Sequence, residues 1–469
     1  MEALTNASDD YLIDGLSFKL PSGASYVQDR KSSTFWSVGS NSYTPVGGVK
    51  LIKFVLNGDD SNWLDPSSVV FQFELVNTST TAGCLLRPLG QPHLFFKRLR
   101  VIAGGQVVED IQDFGRNMEL LSSLQSDFVR ENNDIQGFGA RWDSTFIQSI
   151  NDFSIVDTAT ITNVEVYTAM RNYLPQITAT KSKIVNFKPL CGLFNQSKFI
   201  PLKFCPITLE FELCDQNDAI VTPQAYDSTT GYNLVYTVAN TSNSWQIQNC
   251  CIKADICTLD NSLNNTYIEH LLSGKSLPIQ YSTYISQQSS IVGKNFAVQV
   301  IRAVSRLQRA FITFYADRTL AEPFRKPSIT FHHPMGESIS TFKYDPDKEI
   351  QIYLQLGSKL YPEYPCNNLS ECFYRLKETL NLPEYHQHSM SIKFKNYMDN
   401  KFIFGVSFEK IADAEWTGVN TKAGQILMVN VKAMNETQIT AANIGTTMYT
   451  LLQAQQILEI RDVGCTVYD

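Results

Sequence analysis

The chain has 469 residues, 43% hydrophobic and 12% aromatic, which is too long for one ordinary core and too apolar for a disordered chain. Its formal net charge is −7, and only 18% of residues are charged. No block of Lys and Arg offsets that balance, which argues against a chain that wraps nucleic acid, because such binding rests on neutralising phosphates.

Residues 1–48 read as an N-terminal arm: Ser, Gly, Asn and Asp with the isolated aromatics Tyr26, Phe35, Trp36 and Tyr43, and no sustained period. The opening MEALTNASDD is acidic and lacks an apolar segment, so no signal peptide is expected. No run approaches the ~18 apolar residues that span a bilayer. A soluble protein made in the cytosol is the expectation. The seven Asn-x-Ser/Thr sequons, such as Asn77-Thr78-Ser79, then follow simply from composition.

Strand signals begin at Ile52, Phe54 and Leu56. They continue at Phe71, Phe73 and Leu75, which alternate with Gln72 and Glu74. The stretch Leu94 to Leu124, LFFKRLRVIAGGQVVEDIQDFGRNMELLSSL, is the most informative. Two strand-like runs flank Gly104-Gly105, and a type I′ hairpin turn needs φ > 0 at both central residues. A short helix then starts near Asp113, a good N-cap residue, with Phe114, Met118 and Leu121 on one face. Residues 125–185 read as a long irregular loop, too polar and aperiodic for a core. Ile207, Leu209, Phe211 and Leu213 alternate cleanly with Thr208, Glu210 and Glu212, the pattern of a half-buried strand. A polar insertion spans 215–244, and Cys250, Ile252, Ala254 and Ile256 mark another strand.

A connector helix follows, capped by Asp260, striped by Leu263, Tyr267 and Leu271, and ended by Gly274. The second half opens with Ile279, Tyr281, Thr283 and Ile285. Further strands follow at Phe296 to Val300, in AFITFYAD, and at Ile350, Ile352, Leu354 and Leu356. Asn368 and Glu371 start another helix with a capping-box-like pair, and Pro383 is expected to stop it. Strands resume in FIFGVSF, QILMVNV, MYTLLQ and ILEIRDV. Each half is thus dominated by strands and carries one mid-domain helix, although no direct repeat is visible. Two antiparallel Greek-key sandwiches, jelly rolls of about eight strands each, fit this plan. The fold class is all-β, with a few short helices and long inter-strand loops.

Motifs that carry chemistry are weak. Gly274-Lys275-Ser276 resembles the end of a P-loop, but Glu269 stands where the first glycine is required, and the GKS follows a helix instead of preceding one. A glycine helix stop is the better reading. His386-x-His388 and His332-His333 lack thiolates or carboxylates clustered nearby and read as structural or surface histidines. Glu409, Asp413 and Glu415, and Asp345, Asp347 and Glu349, are acidic clusters that could in principle hydrolyse glycosides but read as solvated surface. No G-x-S-x-G elbow occurs. Arg302, Arg306 and Arg309 form the densest basic cluster and read as a polar face. The ten cysteines show no C-x-x-C pair, and reduced, buried, small hydrophobes are expected in a reducing compartment. No catalytic, cofactor-binding or metal residue is assigned.

Several segments together resemble the double jelly-roll major capsid proteins of the polinton-like virus, adintovirus and virophage group. They are NWLDPSSVVFQFEL (Asn62 to Leu75), LFFKRLRVIAGGQVVEDIQDFGRNMELL, KFIPLKFCPITLEFEL (Lys198 to Leu213), LDNSLNNTYIEHLLSGKSLPIQY (Leu259 to Tyr281), IQIYLQLGSKLYPEYP (Ile350 to Pro365) and MYTLLQAQQILEI (Met448 to Ile460). Their order and spacing run over 49–469. The resemblance implies a structural subunit without catalytic residues or cofactors. Such subunits form homotrimers whose six jelly rolls make a pseudo-hexagonal capsomer, and capsomers tile an icosahedral shell around double-stranded DNA. Expected partners are other copies and neighbouring capsomers, with penton and minor capsid proteins and no sequence-specific nucleic acid. The expected location is the virion. The expected division is an arm at 1–48, a first jelly roll at 49–259, a connector helix at 260–276 and a second jelly roll at 277–469. A tandem β-sandwich glycan-binding protein or glycoside hydrolase is the alternative.

Overall fold

The structure is a computed structural model. It describes residues 26–126 other than 60, 87, 89 and 90; residues 177–220, 241–315 and 349–382; residues 390, 392, 394 and 397; and residues 402–410, 417–422, 426–434 and 446–469.

The first barrel contains eight principal strands: Val27–Trp36 (β1), Leu51–Leu56 (β2), Val70–Asn77 (β3), Phe96–Ala103 (β4), Gln106–Gln112 (β5), Ser182–Phe187 (β6), Ile207–Leu213 (β7) and Trp245–Leu259 (β8). They form two antiparallel sheets in the orders β1-β8-β3-β6 and β2-β7-β4-β5. Helix α1 (Phe114–Ser123) lies between β5 and β6. Helix α2 (Asn261–Leu272) leads to the second barrel. That barrel comprises Leu277–Ser290 (β9), Phe296–Val300 (β10), Leu307–Tyr315 (β11), Ile350–Leu356 (β12), Lys359–Cys366 (β13), Phe404–Ser407 (β14), Leu427–Ala433 (β15) and Thr447–Arg461 (β16), with Gly464–Tyr468 (β17) added beside β16. Its sheets run β9-β16-β11-β14 and β10-β15-β12-β13, and helix α3 (Leu369–Thr379) lies between β13 and β14.

The two orders are the same when each half is counted from its own first strand. First strand pairs with eighth, eighth with third and third with sixth; second pairs with seventh, seventh with fourth and fourth with fifth. The helix follows the fifth strand both times. This is the double jelly-roll fold, repeated in topology without a visible repeat in sequence.

Alternation explains which side of each strand is dry. Along β7 the odd positions Ile207, Leu209, Phe211 and Leu213 are buried, and the even ones are partly wet. The first core is built on a phenylalanine cluster. Phe71 sits between Phe54, Phe73, Phe96, Phe187 and Phe211, with ring centroids 4.6–5.6 Å away. The second core gathers residues such as Phe311, Ile352, Leu376, Phe404 and Leu451.

Some sequence expectations require correction. Val27–Trp36 falls within the expected arm 1–48, yet it pairs with β8 from Leu259 to Cys251 as a full strand of the barrel. Its side chains are mostly exposed, so no hydrophobic alternation announces it. It is held by the backbone ladder and by Arg30, whose guanidinium reaches Asp65 at 2.6 Å and Asp255 at 2.9 Å. The expected loop 125–185 overshoots, because Ser182–Phe187 pairs with β3; residues 127–176 lie outside the described residues, as do 221–240 of the expected insertion 215–244. Asp113 precedes α1 but does not cap it with its side chain. It is left-handed (φ 48°), and the Asn117 amide instead donates to the Gln112 carbonyl at 2.8 Å. Asp260 does cap α2, accepting from the Ser262 N–H. Asn368 caps α3 by accepting from the Glu371 N–H at 2.7 Å, whereas the return bond from Glu371 falls on the Asn367 N–H. The α3 C-terminus turns at Asn381 (φ 54°); Pro383 lies outside the described residues.

Candidate functional site

The densest polar chemistry lies at the seam between the barrels. Helix α1 puts Phe114 and Met118 into the first core and Leu120 and Leu124 into the second. Ile279, Tyr281, Leu458, Ile460 and Cys465 of the second half return the exchange by entering the first core. The barrels therefore share hydrophobic cores, and burial of this kind is the main force holding the halves together.

Several polar groups that the exchange buries find partners across it or beside it. Asn117 on α1 accepts a hydrogen bond from the Tyr449 hydroxyl of β16. The Gln112 carbonyl accepts from the Ser286 hydroxyl of β9 at 2.9 Å. Tyr281 donates to the Val108 carbonyl at 3.3 Å. Glu119 on α1 lies 3.0 Å from His93 Nε2, with both side chains buried.

Glu109 is the most unusual residue of the seam. It is buried. Its carboxyl accepts from the Gly192 N–H at 3.0 Å and is 2.6 Å from the Cys191 thiol; Thr283 of the second barrel also bonds to it. Burial pushes its pKa above the ordinary carboxyl range, and the Cys191, Gly192 and Thr283 hydrogen bonds offset part of that shift. Burial, then the neighbouring Glu109 charge, raises the Cys191 thiol in turn. Gly192 permits the contact. A Cβ there would collide with the Ser282 carbonyl of β9.

The β4–β5 hairpin adds a second lock. Gly104 (φ 55°) and Gly105 (φ 84°) form the expected turn. The hairpin tip also abuts Cys465 of β17: a Cβ on Gly104 would lie 2.5 Å from its Sγ and 3.1 Å from its backbone nitrogen.

The sequence-level chemical candidates do not converge. Gly274 (φ 81°) ends α2 just before β9, as a helix stop does. Glu409 accepts from Arg309 Nε at 3.0 Å, while Asp413 and Glu415 lie outside the described residues, as do Asp345, Asp347 and all four paired histidines. Burial raises the Glu349 carboxyl. Among the described residues no group of three His, Cys, Asp or Glu is placed to hold a metal ion. Arg309 is thus a partner of Glu409, not part of a free basic face. Two cavities of about 350 and 280 Å³ share Tyr361, Ser407 and Glu409 at the edge of the second barrel. The carboxylates lining them, Glu409 and Glu378, are each engaged by an arginine, Arg309 and Arg375. That arrangement lacks the free carboxylate pair that glycoside hydrolysis uses. All ten cysteines are buried and unbridged.

No family model and no curated protein matches the sequence. Solved structures match the fold over nearly the whole chain. A chain of the Sputnik virophage structure superposes with a TM-score of 0.56 at 10% identity, covering 96% of this chain and 90% of that one. VP54 of the virus PBCV-1 gives 0.55 at 10% identity, covering 97% and 100%. The Faustovirus major capsid protein gives 0.51 at 9% identity, covering 95% and 92%. The fold class is therefore the double jelly roll found in these virus proteins.

Proposed function

We propose that this chain is a major capsid protein, a structural subunit of a virion with no catalytic role. The observation that carries the reading is the identical strand order of the two barrels, supported by a fold match to the Faustovirus major capsid protein that covers 95% of this chain and 92% of that one. Two barrels of one plan give each chain two similar lobes. Three copies then present six similar lobes, the arrangement needed to tile a hexagonal net with a trimer. We infer homotrimers that pack as pseudo-hexameric capsomers in an icosahedral shell around double-stranded DNA, with penton and minor capsid proteins as further partners. The net charge of −7 suits a shell that encloses a genome without coating it. Abundant amides at low charge suit wide lateral contacts. Light scattering and negative-stain imaging of the purified chain test this: trimers with a pseudo-hexagonal outline are expected, and a stable monomer that binds sugar would overturn it.

A further inference from the structure

Cys465 lies in β17, at the edge of the second barrel, and reaches into the first. Its Sγ is 4.0 Å from the Phe204 carbonyl oxygen. The next residue, Cys205, hydrogen-bonds to Cys465 thiol to thiol. Both backbones are pinned there. The Cys205 N–H donates to the Pro201 carbonyl at 2.9 Å, and the Gly104 N–H donates to the Pro206 carbonyl at 3.0 Å. Two thiols from different barrels, more than half the chain apart in sequence, are thus in contact across the seam.

We propose that Cys205 and Cys465 form a cross-linking site, at which a small disulfide such as glutathione disulfide converts the two thiols into an intrachain disulfide between the barrels. Cys465 loses its proton and attacks one sulfur of glutathione disulfide, releasing one glutathione, which takes up that proton. Cys205 then loses its proton and attacks Cys465 Sγ, displacing the second glutathione, which is protonated likewise. Two thiols are oxidised, and one glutathione disulfide is reduced to two glutathiones.

Access favours Cys465 as the first attacker. It is 6% exposed, whereas Cys205 is fully buried. Strand β17 pairs with β16 alone among the described strands and follows a turn at Val463, which is 98% exposed. Such an edge opens at less cost than the whole fold. A second hydrogen-bonded pair, Cys366 and Cys372, differs in access and spacing: both are fully buried, Cys372 lies within α3, and only six positions separate them. A bridge between Cys205 and Cys465 closes a far longer loop and so constrains the unfolded chain more. The pair stays reduced in the cytosol and closes in an oxidising medium.

The test oxidises the purified chain with glutathione disulfide, alkylates the remaining thiols and maps peptides without reduction. One linked Cys205–Cys465 peptide pair is expected, with a thermal midpoint raised by about 5 °C and restored by dithiothreitol. Cys465→Ser and Cys205→Ser should each lose the link and the shift, and Cys366→Ser should keep both. Full alkylation of both thiols in the oxidised wild-type chain, or a link at other cysteines only, would overturn the proposal even if the variants fail to fold.

Discussion

Replacing Gly104 and Gly105 separately by alanine distinguishes a strained turn from a blocked contact. Both residues are left-handed, and an L-residue there costs about 1–2 kcal/mol. At Gly105 nothing lies within 4 Å of the added Cβ, so that strain is the whole expected loss. At Gly104 the methyl group meets Cys465 at Sγ, Cβ and backbone nitrogen, at 2.5, 3.0 and 3.1 Å. Overpacking of this kind adds about 1–3 kcal/mol. Gly104→Ala should therefore destabilise by about 2–5 kcal/mol in all, against about 1–2 kcal/mol for Gly105→Ala. Equilibrium urea unfolding followed by fluorescence measures both, and trimer yield should fall in the same order. Adding Cys465→Ala removes the nearest clashing atom and should recover part of the Gly104→Ala loss, a coupling read from a double-mutant cycle. Equal losses at the two glycines, or strict additivity with Cys465→Ala, would refute the docking of the hairpin on the second barrel. A bulkier, β-branched Gly105→Val should be worse than Gly105→Ala, because φ > 0 is a genuine outlier for such residues.

Three further outcomes are expected. Because burial raises the Glu109 pKa in the folded state, the stabilisation linked to it is complete below the ordinary carboxyl range and is lost as pH rises through the folded value. Glu109→Gln should flatten that decline, and parallel pH–stability curves for the two proteins would contradict it. Tyr449→Phe leaves Asn117 without its seam donor and should cost about 1–3 kcal/mol of stability; an unchanged urea midpoint would count against the bond. Deleting residues 1–25 should leave soluble trimers but impair shell formation, whereas deleting 1–48 removes β1 and should prevent the first barrel from folding. Efficient shells from the shorter deletion would exclude an assembly role for that segment.

Legibility in the sequence tracked side-chain burial. Strands with one dry face, such as β7 and β12, are plain from alternation, and Asp260, Gly274 and Asn368 mark helix ends by local chemistry. Strand β1 was hidden because its sequence, VQDRKSSTFW, buries little and owes its place to the ladder with β8. Glu109, Cys191 and Thr283 carried no signal either, since they are far apart in sequence and meet only where the barrels touch. Glu109 reads locally as an ordinary polar strand residue before Asp110.

By itself the sequence determined an all-β chain in two halves, each with one mid-domain helix, because period-2 burial, turn glycines and helix caps act over a few residues. Only the tertiary structure decided that both halves use the same strand order, that α1 and β9 exchange side chains between the cores, and that Gly104 and Cys205 face Cys465. Those facts depend on contacts between residues hundreds of positions apart, which local patterning does not encode.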